Sequence, residues 1–399
     1  MKRYLFIAAG VVVILGIGAI VYFYFFSGAP KVTVAPGGST SLPSAGGQGA
    51  QDSGSTDPLE GGAAPTTVSP RLVQISRGPV VPGMVVLNKK PIAASSTPET
   101  IVNYIERRSG NVYTYSELSK KTTRISNKTL PGIQSAAWTP DGSTALVRYL
   151  SGTDFSTINT YALRADGSAG FFLAQNISDI SVSSSSLLIL ASGVNGSTAS
   201  VTRIDGTSPA DVFTTPLSAL RSSFAGKGQY LAFTKPSGSL LGSAFLYGNS
   251  GRFSRIAGPS YGLAALASPS GKWVLVSSVE AGMMQMSLVD STTHETITLP
   301  VATIADKCAW TADDTTVYCG VPVNPSAGVL YPDDWYQGAI PFNDRVWKIN
   351  VAGRYAELVL DFSKETGAAL DATALSTDPR GTTLVFINKN DGSLWSYSL

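Results

Sequence analysis

The chain has 399 residues, 43% of them hydrophobic and 14% charged, with 40 glycines, 23 prolines and a net charge of +2. So small a charge gives no broad pull toward nucleic acid, and a single histidine, His294, narrows the enzymatic options. Length alone would allow two or three domains, but internal repetition makes most of the chain one unit.

Met1–Arg3 is a short basic stub, followed by residues 4–26 without a charge. A helix of that length, at ~1.5 Å per residue, crosses a hydrocarbon core of ~30 Å. The run is longer than the core of a cleaved signal peptide, and its best small-residue site, Ser27-Gly28-Ala29, is followed by Pro30. The expectation is a single-pass transmembrane signal anchor. Lys2 and Arg3 would hold the amino terminus in the cytoplasm and send the remainder across the cell membrane. Residues 27–70 are nearly all Gly, Ser, Ala, Pro and Thr. Such a segment cannot bury enough apolar surface to offset its ordering entropy, and it reads as a disordered linker.

Beyond the linker one stretch recurs: WTPDGSTALV from Trp138, FAGKGQYLAF from Phe224, ASPSGKWVLV from Ala267 and WTADDTTVYC from Trp310. Its turn centre falls at Gly142, Ser184, Gly228, Gly271, Asp314 and Gly381, a period of about 43 residues with one long interval. Units of that length, built of short β runs and glycine turns, are the pattern of propeller blades. In one repeat the four strands are Ile133 to Trp138, Thr144 to Tyr149, Thr157 to Leu163 and Gly170 to Ala174. The second strand is apolar nearly throughout, as expected of a strand covered on both faces. The aromatic before the turn (Trp138, Phe224, Trp310) would wedge between sheets.

Counting back one period adds a degenerate first repeat from Met84, giving seven blades, with a six-bladed ring left open. The last repeat ends at Leu399 one strand short. Residues 71–76, Arg71-Leu-Val-Gln-Ile-Ser76, mirror the outer strand Thr123-Arg-Ile-Ser126, so they are expected to supply it and close the ring. The predicted fold class is therefore all-β, a β-propeller over 71–399.

WTPDG, SPSGKWVLV and DPRGTTLVF, with the third-strand strings YALRADG and LWSYSL, resemble the repeat of TolB-type, WD-repeat-like propellers. The resemblance covers residues 71–399 and implies the fold. TolB's separate amino-terminal domain has no counterpart here, so a Tol role is not implied.

Cys308 and Cys319 are symmetric about the Asp313-Asp314 turn, so a hairpin of that register sets them opposite each other. Opposed Cα atoms lie ~4.5–5.5 Å apart, within disulfide range, and a bridge is expected, with two reduced buried thiols as the alternative. No Cys-x-x-Cys or Cys/His cluster exists to hold a metal, and no cofactor motif is present. Gly258-Pro-Ser260-Tyr-Gly262 matches a hydrolase string but sits between strands, with only His294 to serve as a base.

The long interval places about two dozen extra residues between Val321 and Asn343. They carry Tyr331, Asp333, Asp334, Trp335, Tyr336 and Phe342, the candidate binding residues. Aromatics with acidic neighbours suit a protein or glycan contact. A plug over the central channel or a neighbouring blade is the other reading. The expected function is a membrane-anchored, extracytoplasmic binding or scaffold module for a protein or envelope polymer. The alternative is a propeller enzyme acting on envelope carbohydrate or peptide through Asp333 and Asp334. A basic stretch from Arg71 to Pro131, ten Lys or Arg against three glutamates, suggests a charged outer edge or an anionic contact.

Overall fold

The computed structural model describes residues 64–90, 98–248 and 250–399. These form six antiparallel sheets; in five of them consecutive strands pair as a meander, and the sixth joins the first two described strands to the last three. The first sheet runs Val85–Lys89, Glu99–Ile105, Val112–Ser116 and Lys121–Arg124. The second runs Ile133–Trp138, Thr144–Ser151, Thr157–Arg164 and Phe171–Phe172, close to the spans expected from sequence. The third begins at Ile177–Val182. The fourth has seven strands, from Leu220–Phe224 to Thr296–Thr298. The fifth starts at Cys308–Trp310 and the sixth at Ala372–Thr377.

The seven-stranded sheet is joined through one long strand, Phe253–Ala267. Its first part pairs with Leu241–Tyr247 and its second with Trp273–Glu280, with a register shift between Tyr261 and Ala264. Gly262, at φ +63°, lies at that shift.

The recurring turn explains why these residues make hairpins. Thr139 Oγ1 donates to Asp141 Oδ1 at 2.6 Å, and the same oxygen accepts Ser143 N at 3.1 Å. Gly142 then takes φ +69°, where a side chain is strained. The fifth sheet repeats this at Thr311, Asp313 and Thr315. There the non-glycine Asp314 sits at φ +61° and its carboxylate reaches back to Ser268 Oγ at 2.8 Å.

The aromatic before the turn does lie between sheets. The indole of Trp138 donates to Gly83 O at 3.3 Å, and that of Trp310 to Leu266 O at 3.4 Å. Second strands are the best buried: every residue of Thr316–Pro322 and of Thr383–Asn388 is covered. A fully buried Leu or Phe there contributes ~1.5–3 kcal/mol.

The two ends of the described segment meet. Leu72–Ser76 pairs with Leu394–Ser398, Leu72 opposite Tyr397 and Gln74 opposite Trp395. Thr66–Thr67 adds a fifth strand outside it, so pairing begins before the expected boundary at residue 71. The last sheet then bonds to the first: Asn88 Nδ2 donates to Asp378 Oδ2 at 3.0 Å, and Arg380 Nη2 to Thr100 Oγ1 at 3.0 Å. Sheets of this kind, linked in order through their first strands and joined last to first, enclose a ring.

Cys308 and Cys319 are directly opposed and bridged, with Cα atoms 4.1 Å apart. The basic outer strand Lys121–Arg124 is exposed at Lys121, Thr123 and Arg124, a charged edge that discourages pairing with another chain.

The expected placement in a cell membrane, amino terminus cytoplasmic, is corrected. Among the described residues no helix is long and apolar enough to cross one. The two α-helices described, Asp333–Tyr336 and Phe362–Thr366, have four and five residues, against ~20 needed for a span. The expected anchor at 4–26 and most of the expected linker lie outside the described residues.

Replacing both cysteines by serine should cost about 2–3 kcal/mol, because the bridge closes a short loop in the unfolded chain; urea unfolding under non-reducing conditions measures it. Leu72→Ala, in the closing strand, should cost about 2–5 kcal/mol, whereas Leu118→Ala at an exposed turn should stay within about 0.5 kcal/mol. Equal losses would remove the closing strand from the account of stability.

Candidate functional site

The insertion after Thr316–Pro322 folds down onto the sheets. Its apolar residues cannot stay in water beside an apolar neighbour, and Tyr331, Trp335 and Phe342 are 2%, 2% and 5% exposed. Trp335 stacks on Phe342 with ring centroids 5.9 Å apart. The Tyr331 hydroxyl donates to Ser326 O at 2.9 Å, inside the insertion.

The two acids do local work. Asp333 accepts from the Gly238 amide and from Ser237 Oγ at 3.3 Å, tying the insertion to a loop of the seven-stranded sheet. Asp334 accepts Leu330 N at 2.9 Å. Both stand in the first turn of the helix Asp333–Tyr336, where negative charge is favoured. Tyr336 alone of the candidate aromatics reaches solvent, at 36% exposure, and its hydroxyl donates to Asp306 Oδ2 at 2.8 Å. Burial, then Asp306, push that phenol above its ordinary pKa. Arg221 Nη1 donates to the same carboxylate oxygen at 2.6 Å. Burial alone would lower the Arg221 pKa, but the Asp306 charge outweighs it and the net shift is upward.

Beneath the insertion lies a cluster that sequence reasoning missed. Lys307, Asp344 and Asp371 have fully buried side chains. Lys307 Nζ donates to Asp371 Oδ1, to Asp344 Oδ2 at 2.8 Å and to Ala372 O at 2.9 Å. The other Asp371 oxygen accepts Trp335 Nε1 at 2.9 Å and Phe342 N at 3.0 Å. Nζ also stands 4.8 Å from the Trp335 ring and 5.1 Å from that of Phe342. Lys389 approaches Trp335 too, donating to its carbonyl, with Nζ 4.7 Å from its ring. Burial pushes the Asp344 carboxyl up to about 6 against the pull of Lys307, and Asp371 pushes it further. The only advance signal was position: Lys307 and Asp371 each directly precede an inner strand.

The inner strands leave a recess nearer their other ends. About 500 Å³ is lined by residues of five successive repeats, among them Ser181, Phe224, Leu266, Trp310 and Leu375. None of its lining residues is charged. A second groove of about 710 Å³ runs past Lys272, Trp273, Asp313, Asp314 and Asn350. Asp313 is a turn former, accepting from the Thr311 hydroxyl and the Thr315 amide, and the Thr311 hydroxyl first holds its carboxyl below the ordinary pKa.

The other sequence candidates do not assemble. Ser260 lies inside the strand Phe253–Ala267 opposite Gly242, not on a strand-to-helix elbow. His294 sits in an exposed turn with Ser254 as its hydrogen-bond neighbour at 3.5 Å. Among the described residues no group of three His, Cys, Asp or Glu is placed to hold a metal ion.

No family model matches the chain, and no curated protein matches it. Solved structures do. An oligogalacturonate lyase from Vibrio parahaemolyticus superposes with a TM-score of 0.54 at 9% identity, covering 82% of this chain and 93% of that one. A hydrazine synthase from Kuenenia stuttgartiensis gives 0.51 at 14% identity, over 80% and 96%. The fold is that of a β-propeller. TolB from Acinetobacter baumannii also matches, at TM-score 0.41 and 11% identity over 79% and 80%. Identities this low speak to fold alone and extend to no activity.

Lys307→Met should cost about 3–5 kcal/mol, since it leaves two buried carboxylates without their cation; a loss under about 1 kcal/mol would show the cluster to be solvated. Asp344 adds a pH dependence. Its folded pKa of about 6 exceeds the ordinary 3.8, so its contribution to stability is full below 3.8 and is lost as pH rises through about 6. Unfolding curves at several pH values from 4 to 7 should show that fall in the natural protein and not in Asp344→Asn.

Proposed function

We propose that the chain is a seven-bladed propeller acting as a binding module for a protein or an extended polymer. The seven-stranded sheet supplies two of the blades, one on each side of the register shift in Phe253–Ala267. The observation that carries the binding reading is the uncharged recess among the inner strands, with Phe224, Leu266, Trp310 and Leu375 beside serine hydroxyls. Acid–base or nucleophilic chemistry needs a titratable group at the reacting atom. A recess of apolar side chains and hydroxyls instead rewards an apolar segment that leaves water.

The insertion then has two parts. Its aromatics Tyr331, Trp335 and Phe342 act as a plug near the starts of the inner strands, and Tyr336 with its acidic neighbours forms the outer surface. The enzyme alternative would have to run through Asp333 and Asp334, whose oxygens already hold backbone amides.

Leu375→Arg and Phe224→Ala, both half-buried at the recess, should weaken retention of a partner at least tenfold and leave the melting temperature within a few degrees. Partners captured by the natural protein and identified by mass spectrometry provide the assay. Unchanged affinity in both variants would move the binding surface away from the recess. Hydrolysis or cleavage of a polymer that disappears in Asp333→Asn would replace the binding reading with the enzymatic one.

A further inference from the structure

The buried cluster is arranged for a reaction as well as for an ion pair. We propose that the Lys307 side chain condenses with the Asp371 carboxyl to form an intramolecular amide, with Asp344 carrying the proton.

Four observations converge. The nucleophile and the acyl group touch: Lys307 Nζ lies against Asp371 Oδ1. The second Asp371 oxygen receives two N–H groups, from the Trp335 indole at 2.9 Å and the Phe342 amide at 3.0 Å. A pair of fixed donors on one carboxyl oxygen is what an acyl transfer needs, because negative charge gathers there when the nitrogen adds. A separate carboxyl, Asp344, contacts the same nitrogen at 2.8 Å. Finally, all three side chains are fully buried, with Lys307 Nζ against the rings of Trp335 and Phe342.

Asp344 suits the proton-carrying part. Its Oδ2 is held by Lys307 and by Ala372 N at 2.7 Å, but its Oδ1 is buried and meets no donor. A carboxylate satisfied at one oxygen only is poorly stabilised as an anion and takes up a proton from its neighbour more readily. Transfer from the ammonium to Asp344 leaves a neutral amine beside Asp371.

The step balances without a co-reactant. Asp344 passes that proton on to Oδ1 of Asp371, the Nζ lone pair adds to Cγ of the now neutral carboxyl, and Oδ2 takes the developing charge. The Cγ–Oδ1 bond then breaks, and Oδ1 departs as water with the two protons lost by nitrogen, one of them relayed by Asp344. An ammonium and a carboxylate become an amide and one water, with no change of oxidation state. In bulk water the hydrated ions are favoured over the amide. Burial reverses that preference, since it withdraws hydration from both charges and the product carries neither. The bond would tie the segment before Cys308–Trp310 to the segment before Ala372–Thr377, joining two adjacent sheets covalently. The Cys308–Cys319 bridge, by contrast, joins two strands of one sheet.

Intact-mass measurement of the full chain tests this directly. The expected mass is that of the sequence less one water, beyond the two hydrogens lost at the disulfide. A digest after reduction should yield a branched peptide joining Lys307 to Asp371. Asp344→Asn and Lys307→Arg should each restore the full mass. A natural protein that keeps its full mass, or one whose lost water maps to another residue, overturns the proposal whether or not the variants fold. The partner assay at the recess is independent of this result.

Discussion

Pairing between the two ends of the propeller chain is the constraint on which the rest of the structure depends. A row of sheets arranged side by side has two open flanks, each presenting unpaired backbone groups to any other strand. Here Leu72–Ser76 lies beside Leu394–Ser398, and the first and last sheets are then bonded through Asn88, Asp378, Arg380 and Thr100. The carboxylate of Asp378 does two jobs: it holds its own turn through Thr383 N at 2.7 Å and takes the cross-sheet bond from Asn88. Local turn chemistry and global closure are therefore coupled in one side chain, an instance of consistency across levels.

Once the ring is closed, its inner strands face each other and something must fill or line the space between them. The two ends of those strands solve this differently. Near their starts, the insertion brings Trp335 and Phe342 over a buried cation and two carboxylates, each with specific donors and acceptors. Such a network is costly to desolvate and tolerates few alternative packings. Nearer their other ends the side chains are small or apolar and line an open volume. Charged and covered at one end, uncharged and open at the other, the axis of the propeller is polarised.

Much of this architecture was legible in the sequence because it is written in local, repeated chemistry. The Thr-x-Asp turn with its preceding tryptophan occurs at Trp138 and again at Trp310 and makes the same bonds in both places, while a glycine at positive φ recurs at Gly142, Gly228, Gly271 and Gly381. The opposition of Cys308 and Cys319 followed from symmetry about one turn. Mirror similarity between residues 71–76 and 123–126 found the closing strand, although Thr66–Thr67, with no apolar pattern of its own, was read as linker. The buried cluster was not legible. Lys307, Asp344 and Asp371 are far apart in sequence, and each alone resembles a solvated charge at a strand end. Only the fold brings them together, and only the insertion covers them. For the same reason the aromatics of the insertion stayed open between a contact surface and a plug: a sequence shows that Trp335 is present, but not that its indole N–H has a carboxylate to meet.

The unbroken strand Phe253–Ala267 has its own consequence. Elsewhere, successive four-stranded units are joined by connecting segments that can lengthen, acquire inserts or be nicked by a protease without disturbing a ladder. At this place the backbone is hydrogen-bonded on both sides of the junction, to Leu241–Tyr247 and then to Trp273–Glu280. That sector has no spare segment to elaborate, so new sequence in descendants of this chain should accumulate around the remaining junctions and leave a bare arc at this one.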